Sequence, residues 1–326
     1  MTGFADRTPP APCCSPAADT ARTLPEAGPV TTTGIHRVTQ RPLAGGRFAM
    51  GDAFAEGVAT DGETPCHTVA VAAFAMDETA VRTADFAAFV DDTGYRTTAE
   101  RAGSSAVFHA LVDAASVDVL GVAPTAPWWW EVRGADWRHP FGPGITPGGD
   151  LADHPVVHVS HHDALAYCRW ASRALPTEAQ WEYAARGGLE GTRFGWGDDR
   201  TTPSGTELCH VYDAAVWDSP FPARPGSRVG APPTLTVDAL PPNGFGLRQM
   251  SGNVWEWCAD RFDPRWYRRS PTADPTGPDR GATRVLRGGS HLCDDSYCRR
   301  YRVAARSHTT PASSAGNIGF RTVSPC

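Results

Sequence analysis

The sequence is short of charge and of long apolar runs. Only 20% of its 326 residues are Asp, Glu, Lys or Arg, and the net charge is −6. Nucleic-acid binders concentrate Lys and Arg on one face, and no basic block occurs here, so no nucleic-acid partner is expected. No apolar stretch reaches the roughly 18 residues that a membrane-spanning helix needs, so no membrane partner is expected. The first residues lack an apolar core behind a positive start, which argues against a secretory leader. No repeat of roughly 20–50 residues is visible, against a solenoid or propeller. The nine cysteines, at 13, 14, 66, 168, 209, 258, 293, 298 and 326, are odd in number and scattered. That is not a disulfide framework, and it fits a reducing cytoplasm.

What the chain has in quantity is Gly (33), Pro (29) and Trp (11). This mix points to a loop-rich α+β fold with limited regular structure, held by aromatic packing. The length allows a large core. Residues 1–40 read as a disordered extension, the first 34 being rich in Pro, Ala and Thr and poor in large apolar side chains. Residues 41–326 read as one domain. A strand is expected over 67–71. Thr83 reads as the N-cap of a helix carrying Phe86, Phe89 and Val90 on one face, with Gly94 as its stop. A second helix runs from Ser160 to about Arg173. A third opens on the capping box formed by Thr177 and Gln180 and ends at Gly187 and Gly188.

Residues 287–306 organise the rest: Arg-Gly-Gly-Ser-His-Leu-Cys-Asp-Asp-Ser-Tyr-Cys-Arg-Arg-Tyr-Arg-Val-Ala-Ala-Arg. Cys293 and Cys298 lie five apart, too wide for a redox Cys-x-x-Cys, with no second Cys/His pair nearby to complete a zinc site. Two soft thiolates without a third protein ligand in sequence suit Cu(I). Taken alone, two buried or disulfide-linked cysteines is the commoner reading. Asp294 and Asp295 between them would raise the thiol pKa values.

The setting of this pair resembles the catalytic region of the formylglycine-generating enzymes, or sulfatase-modifying factors. The resemblance runs through Asn317-Ile318-Gly319-Phe320-Arg321, Gly252-Asn253-Val254-Trp255-Glu256-Trp257, Leu175-Pro176-Thr177-Glu178 and Ala126-Pro127-Trp128-Trp129, and covers about residues 42–324. It implies a fold related to the C-type lectin fold. It also implies a copper-dependent oxidase that converts the cysteine of a Cys-x-Pro-x-Arg motif in a nascent or unfolded sulfatase to Cα-formylglycine. Dioxygen is the oxidant and a thiol the reductant. Cys293 and Cys298 would hold Cu(I), and Ser290, Tyr297, Trp255 and Asn317 match further family site residues.

For the substrate arginine, the resemblance implies Glu78. The neighbouring family aspartate falls at Ser104, with Ser105 beside it, so that pocket is altered. At most one Ca²⁺ is implied, at Gln249, Gly252, Val254 and Glu256, since a second family calcium site finds no match in 205–235. His154, His158, His161 and His162 resemble a structural segment, and no His-x-x-x-His-x-Glu offers an iron site. Two alternatives remain: a lectin-like binding protein with altered catalysis, and a paralogue acting on another peptide cysteine. Cys14-Ser15-Pro16-Ala17-Ala18 imitates the substrate pattern without its arginine, which suggests a pseudosubstrate arm. A chance match in low-complexity sequence is the commoner explanation.

Overall fold

The computed structural model of the chain describes residue 30 and residues 33–326 except 116. Short strands form four small sheets linked by long loops, as the Gly and Pro content implies. The first sheet has the order β1 (Gln40–Leu43), β4 (Phe74–Asp77), β12 (Val323–Pro325), all antiparallel. The second has the order β10 (Ser307–Thr309), β9 (Arg284–Arg287), β8 (Trp255–Arg261), β11 (Ile318–Gly319). β2 (Gly46–Met50) pairs with β3 (His67–Val71), and β5 (Ser104–Phe108) pairs with β7 (Trp129–Arg133), which also takes β6 (Val119–Val122).

The helices pack between these sheets. In α1 (Thr83–Thr93), Phe86, Phe89 and Val90 are buried and Gly94 stops the helix at φ 66°. The N-cap is Arg82, not Thr83 as expected. The Thr83 amide and hydroxyl both go to the His154 carbonyl, at 2.9 and 3.3 Å, so its hydroxyl serves a neighbouring segment instead of its own helix. α3 (His161–Ala171) opens on a capping box of Ser160 and Asp163, and α4 (Glu178–Ala185) on that of Thr177 and Gln180. Two short helices were not foreseen: α2 (Thr98–Ala102), with its own box of Thr97 and Glu100, and α5 (Ala214–Trp217).

The ordered body begins before residue 41. Gly34 N–H donates to Trp170 O at 2.9 Å, and a Cβ there would fall 1.9 Å from the Trp170 ring. His36 bridges Asp77 Oδ1 at 2.8 Å and Tyr167 Oη at 3.1 Å. The boundary at residue 40 is therefore too late. The expectations for residues 1–29, with Cys13 and Cys14, lie outside the described residues.

Beneath the second sheet lies a buried ionic lattice. The sequence contains no lysine, so every Lys-or-Arg partner in it is an arginine, whose planar fork engages two oxygens at once. Arg287 and Arg306 are both fully buried and converge on Glu178 Oε1 at 3.0 and 2.6 Å, while Arg287 also meets Glu182 Oε2 at 2.5 Å. Asp260 accepts from the Glu178 amide at 2.9 Å. Burial, reinforced by the Glu178 carboxylate, pushes the Asp260 pKa up from 3.8 to about 8. Between those values the unfolded chain releases the proton and the folded chain keeps it. This residue's contribution therefore falls as pH rises through that window and then levels off. Asp260→Asn removes that dependence. Measured by urea unfolding, the variant should gain on wild type between about pH 5 and pH 8.5. A constant difference across that range would show Asp260 to be ionised in the native state.

Candidate functional site

Three distant segments meet at the centre of the second sheet. β8 pairs antiparallel with β9, setting Glu256 opposite Arg287, and parallel with β11, setting Trp255 opposite Ile318. Just past β9, Gly288 (φ 94°) and Gly289 (φ 72°) turn the chain sharply. A Cβ on Gly289 would lie 2.8 Å from Tyr301 Cα, so only glycine fits that approach. The turn delivers residues 290–298 against Asn317, which precedes β11.

The polar contacts there form a chain. Asn317 Nδ2 donates to Ser290 Oγ at 3.1 Å, and the Leu292 amide donates to the same oxygen at 3.3 Å. The Ser290 amide points at Cys293 Sγ, 3.4 Å away, and the Cys293 amide returns to Ser290 O at 2.9 Å. Asp294 O accepts from the Tyr297 and Cys298 amides at 3.0 and 2.7 Å, closing the turn that spaces the two cysteines. The Tyr212 amide holds Cys293 O at 2.9 Å. Both cysteines are buried, within one cluster that also contains Trp255, Leu292 and Tyr301. Trp255 N–H binds Asn317 O at 2.8 Å, while its indole Nε1–H is buried with no partner among the described residues. Trp181 and Trp257 satisfy their indoles on Glu256 and Val159 O. Tyr297 is half-buried and meets Trp128 edge-on and Phe221 stacked, each 5.2 Å between centroids.

The sequence-predicted residues Cys293, Cys298, Ser290, Tyr297, Trp255 and Asn317 thus fall into one region. The carboxylates of Asp294 and Asp295 are engaged within the loop and by Tyr301. Asp294 Oδ1 accepts from the Ser296 amide at 2.8 Å and from its hydroxyl, and Asp295 accepts from the Tyr301 hydroxyl. Two buried thiols are a soft donor pair, and that chemistry fits Cu(I). The described residues include no group of three or more His, Cys, Asp or Glu side chains able to hold a metal, so the pair stands without a third side-chain ligand of those types.

The substrate-binding expectations are placed differently. Glu78 carries two guanidiniums already, Arg41 at 2.7 Å and Arg248 at 3.0 Å. Ser104 is buried in β5 with no partner for its hydroxyl among the described residues. Ser105 binds His158 Nδ1 and Ser314 Oγ, both at 2.8 Å. Glu78 and Ser105 are thus engaged in internal contacts, and of the three residues only Glu78 carries a charge.

At the expected calcium turn, Glu256 accepts from Arg321 through both oxygens at 2.7 Å and from Trp181 Nε1 at 2.7 Å. Gln249 donates to Thr236 O at 2.7 Å and accepts from Asn253 Nδ2. Gly252 (φ 79°) packs on His210 O, and Val254 is buried. A carboxylate neutralised by an arginine is a poor start for a hard dication, so these residues do not fit one as placed.

Against this geometry, the family model for the sulfatase-modifying factor enzyme 1-like domain matches residues 36–325. The chain belongs to that family. It is 57% identical over 307 residues to a formylglycine-generating enzyme of Streptomyces coelicolor, covering 94% of each chain. It is 48% identical over 282 residues to one from Thermomonospora curvata, covering 86% of this chain and 91% of that one. An inactive Cα-formylglycine-generating enzyme 2 of Mus musculus is 41% identical over 285 residues, covering 86% and 84%. Among solved structures, PvdO from Pseudomonas aeruginosa shares the fold, with a TM-score of 0.62 at 20% identity over 94% of this chain and all of that one.

Within this sulfatase-modifying factor domain, His158 and His161 of the four clustered histidines are buried in internal contacts. His158 sits at φ 58°, fully buried between Ser105 and Pro140 O, and burial lowers its pKa to about 4. His161 packs edge-on to Trp257, its pKa lowered to about 3 by burial. Sequence reasoning missed Tyr212, whose backbone holds Cys293, and Phe221, which stacks on Tyr297. Both lie in the Pro-rich segment that carries no periodic signal.

Proposed function

We propose that this protein oxidises a cysteine of a sulfatase polypeptide to Cα-formylglycine. The buried pair Cys293 and Cys298, set beside Ser290, Asn317 and Trp255, carries this reading. The relatives named formylglycine-generating enzyme support it. The conversion removes two electrons from the substrate Cβ and releases its sulfur as sulfide. Dioxygen takes four electrons to become water, so a thiol reductant supplies the other two.

Cys293 and Cys298 would hold Cu(I), which when bound supplies one-electron chemistry toward dioxygen. The Ser290 amide is aimed at Cys293 Sγ and so helps to orient that ligand. Ser290 Oγ already accepts from Asn317 and Leu292, so its own O–H is left to donate. Trp255 Nε1–H is a second donor, in the same cluster as both cysteines. These two groups are suited to stabilise negative charge on sulfur or on reduced oxygen. Tyr297, with Trp128 and Phe221, offers an aromatic platform for an extended peptide. Calcium has no part in this mechanism.

A second reading has one specific observation behind it. Glu78 is already paired with Arg41 and Arg248, which favours a substrate peptide other than Cys-x-Pro-x-Arg. Incubating the Cu(I)-loaded protein with a Cys-x-Pro-x-Arg peptide under oxygen, followed by mass analysis, decides between them. Replacement of the thiol by an aldehyde is expected. Ser290→Ala should lower kcat by about 100-fold, the scale for losing one positioned donor, with KM little changed. An intact peptide in the presence of bound Cu(I) would favour the other substrate. A fully active Ser290→Ala would remove the serine from the mechanism.

A further inference from the structure

The six residues from Cys293 to Cys298 belong to no helix or strand, so something outside the loop must fix the separation of the two sulfurs. Asp294 closes the turn from within, through its carbonyl to the Tyr297 and Cys298 amides. The outer side is held by Asp295. Its carboxylate accepts the Tyr301 hydroxyl, with Arg299 Nε at 3.5 Å and Arg200 Nη1 at 3.8 Å beyond it.

The two arginine contacts are long and solvent-screened, and such exposed pairs contribute little. Tyr301 is different. It is buried, and its ring stacks on Phe194 at 5.7 Å, which stacks in turn on Trp196 at 5.1 Å. Its Cα also abuts Gly289, the turn that launches the loop. One rigid aromatic residue therefore touches the loop's entry through its backbone and the loop's middle through its hydroxyl.

We propose that Asp295, clamped by Tyr301, is a positioning residue that sets the Cys293 and Cys298 thiols for Cu(I). This rests on the copper reading given above. The clamp acts through the backbone: releasing the Asp295 carboxylate frees the peptide between the two cysteines, and a loosened pair pays more ordering entropy when both sulfurs must meet one ion.

The test is Cu(I) affinity of the full chain, by competition with a chromophoric Cu(I) chelator, alongside peptide turnover. Asp295→Ala is expected to weaken Cu(I) binding by about 10-fold or more, the range for outer-sphere partners of metal ligands. Tyr301→Phe, which keeps the ring stack and loses only the hydroxyl, should do the same. Asp295→Asn keeps an oxygen to accept from Tyr301 and should restore affinity close to wild type, although its charge is gone. Equal weakening by Asn and Ala would show that charge acts and the hydrogen bond does not, overturning the clamp. Wild-type affinity in both Asp295→Ala and Tyr301→Phe would overturn it too. If wild type itself binds no Cu(I), the copper reading fails first, and the clamp with it. Because Asp295 is exposed, Asp295→Ala remains informative even if Tyr301→Phe does not fold.

Discussion

Cys293→Ser and Cys298→Ser should each lower formylglycine formation by at least about 100-fold, the upper end of what even an outer-sphere partner of a metal ligand is worth. Serine matches cysteine in shape, but its oxygen is a hard donor that does not replace thiolate toward Cu(I). Both sites are buried, so each change should cost about 1 kcal/mol of stability. That corresponds to roughly 2–4 °C in melting temperature for a chain of this size. The double variant should be no worse than either single one, because a two-donor site is already lost with the first donor. Cys168→Ser is the control, since this buried thiol lies in α3, away from the 290–298 loop, and should leave turnover unchanged. Near wild-type turnover in either single variant would refute the cysteine pair as the functional centre.

The largest stability effect should come from Glu178→Gln. Glu178 neutralises Arg306 through both oxygens, at 2.6 and 2.9 Å, and Arg287 at 3.0 Å. Both guanidiniums are inaccessible to water. Removing the shared anion leaves buried positive charge uncompensated, which costs about 3–5 kcal/mol, or roughly 6–20 °C in melting temperature. Guanidinium unfolding followed by two independent probes would measure it. A loss below about 1 kcal/mol, the scale of an exposed pair, would mean that water reaches these arginines.

Local signals made the long helices and the cysteine site legible. The capping boxes at Ser160 and Thr177, and Gly94 as a stop, depend on neighbours three or four residues away, so sequence displays them directly. The cysteine loop was legible because its Gly-Gly turn and both thiols lie within eleven residues. Arg287, Arg306 and Arg321 were a different case. Their acidic partners stand 65 to 128 positions away, and nothing in the local pattern marks an arginine as buried. The pairing of Glu78 was hidden for the same reason, since Arg248 lies 170 positions on and only the fold brings it to that carboxylate. The short helix α5 and the aromatic contact of Phe221 arise from packing in a segment with no periodicity.

The order of the first sheet has a consequence for how the protein is made. β4 lies between β1 and β12, so a strand formed within the first 80 residues is completed by residues 323–325. Asn317, which holds Ser290, and Arg321, which holds Glu256, leave the ribosome at almost the same moment. During synthesis the nascent chain can bury its helices, but it cannot assemble the cysteine centre or close that sheet until translation of the domain is all but finished. Contacts of such long sequence separation are slow to form. The cysteine loop and the strand that closes the first sheet are therefore joined to the body among the last steps of folding this domain, after its helices are already in place.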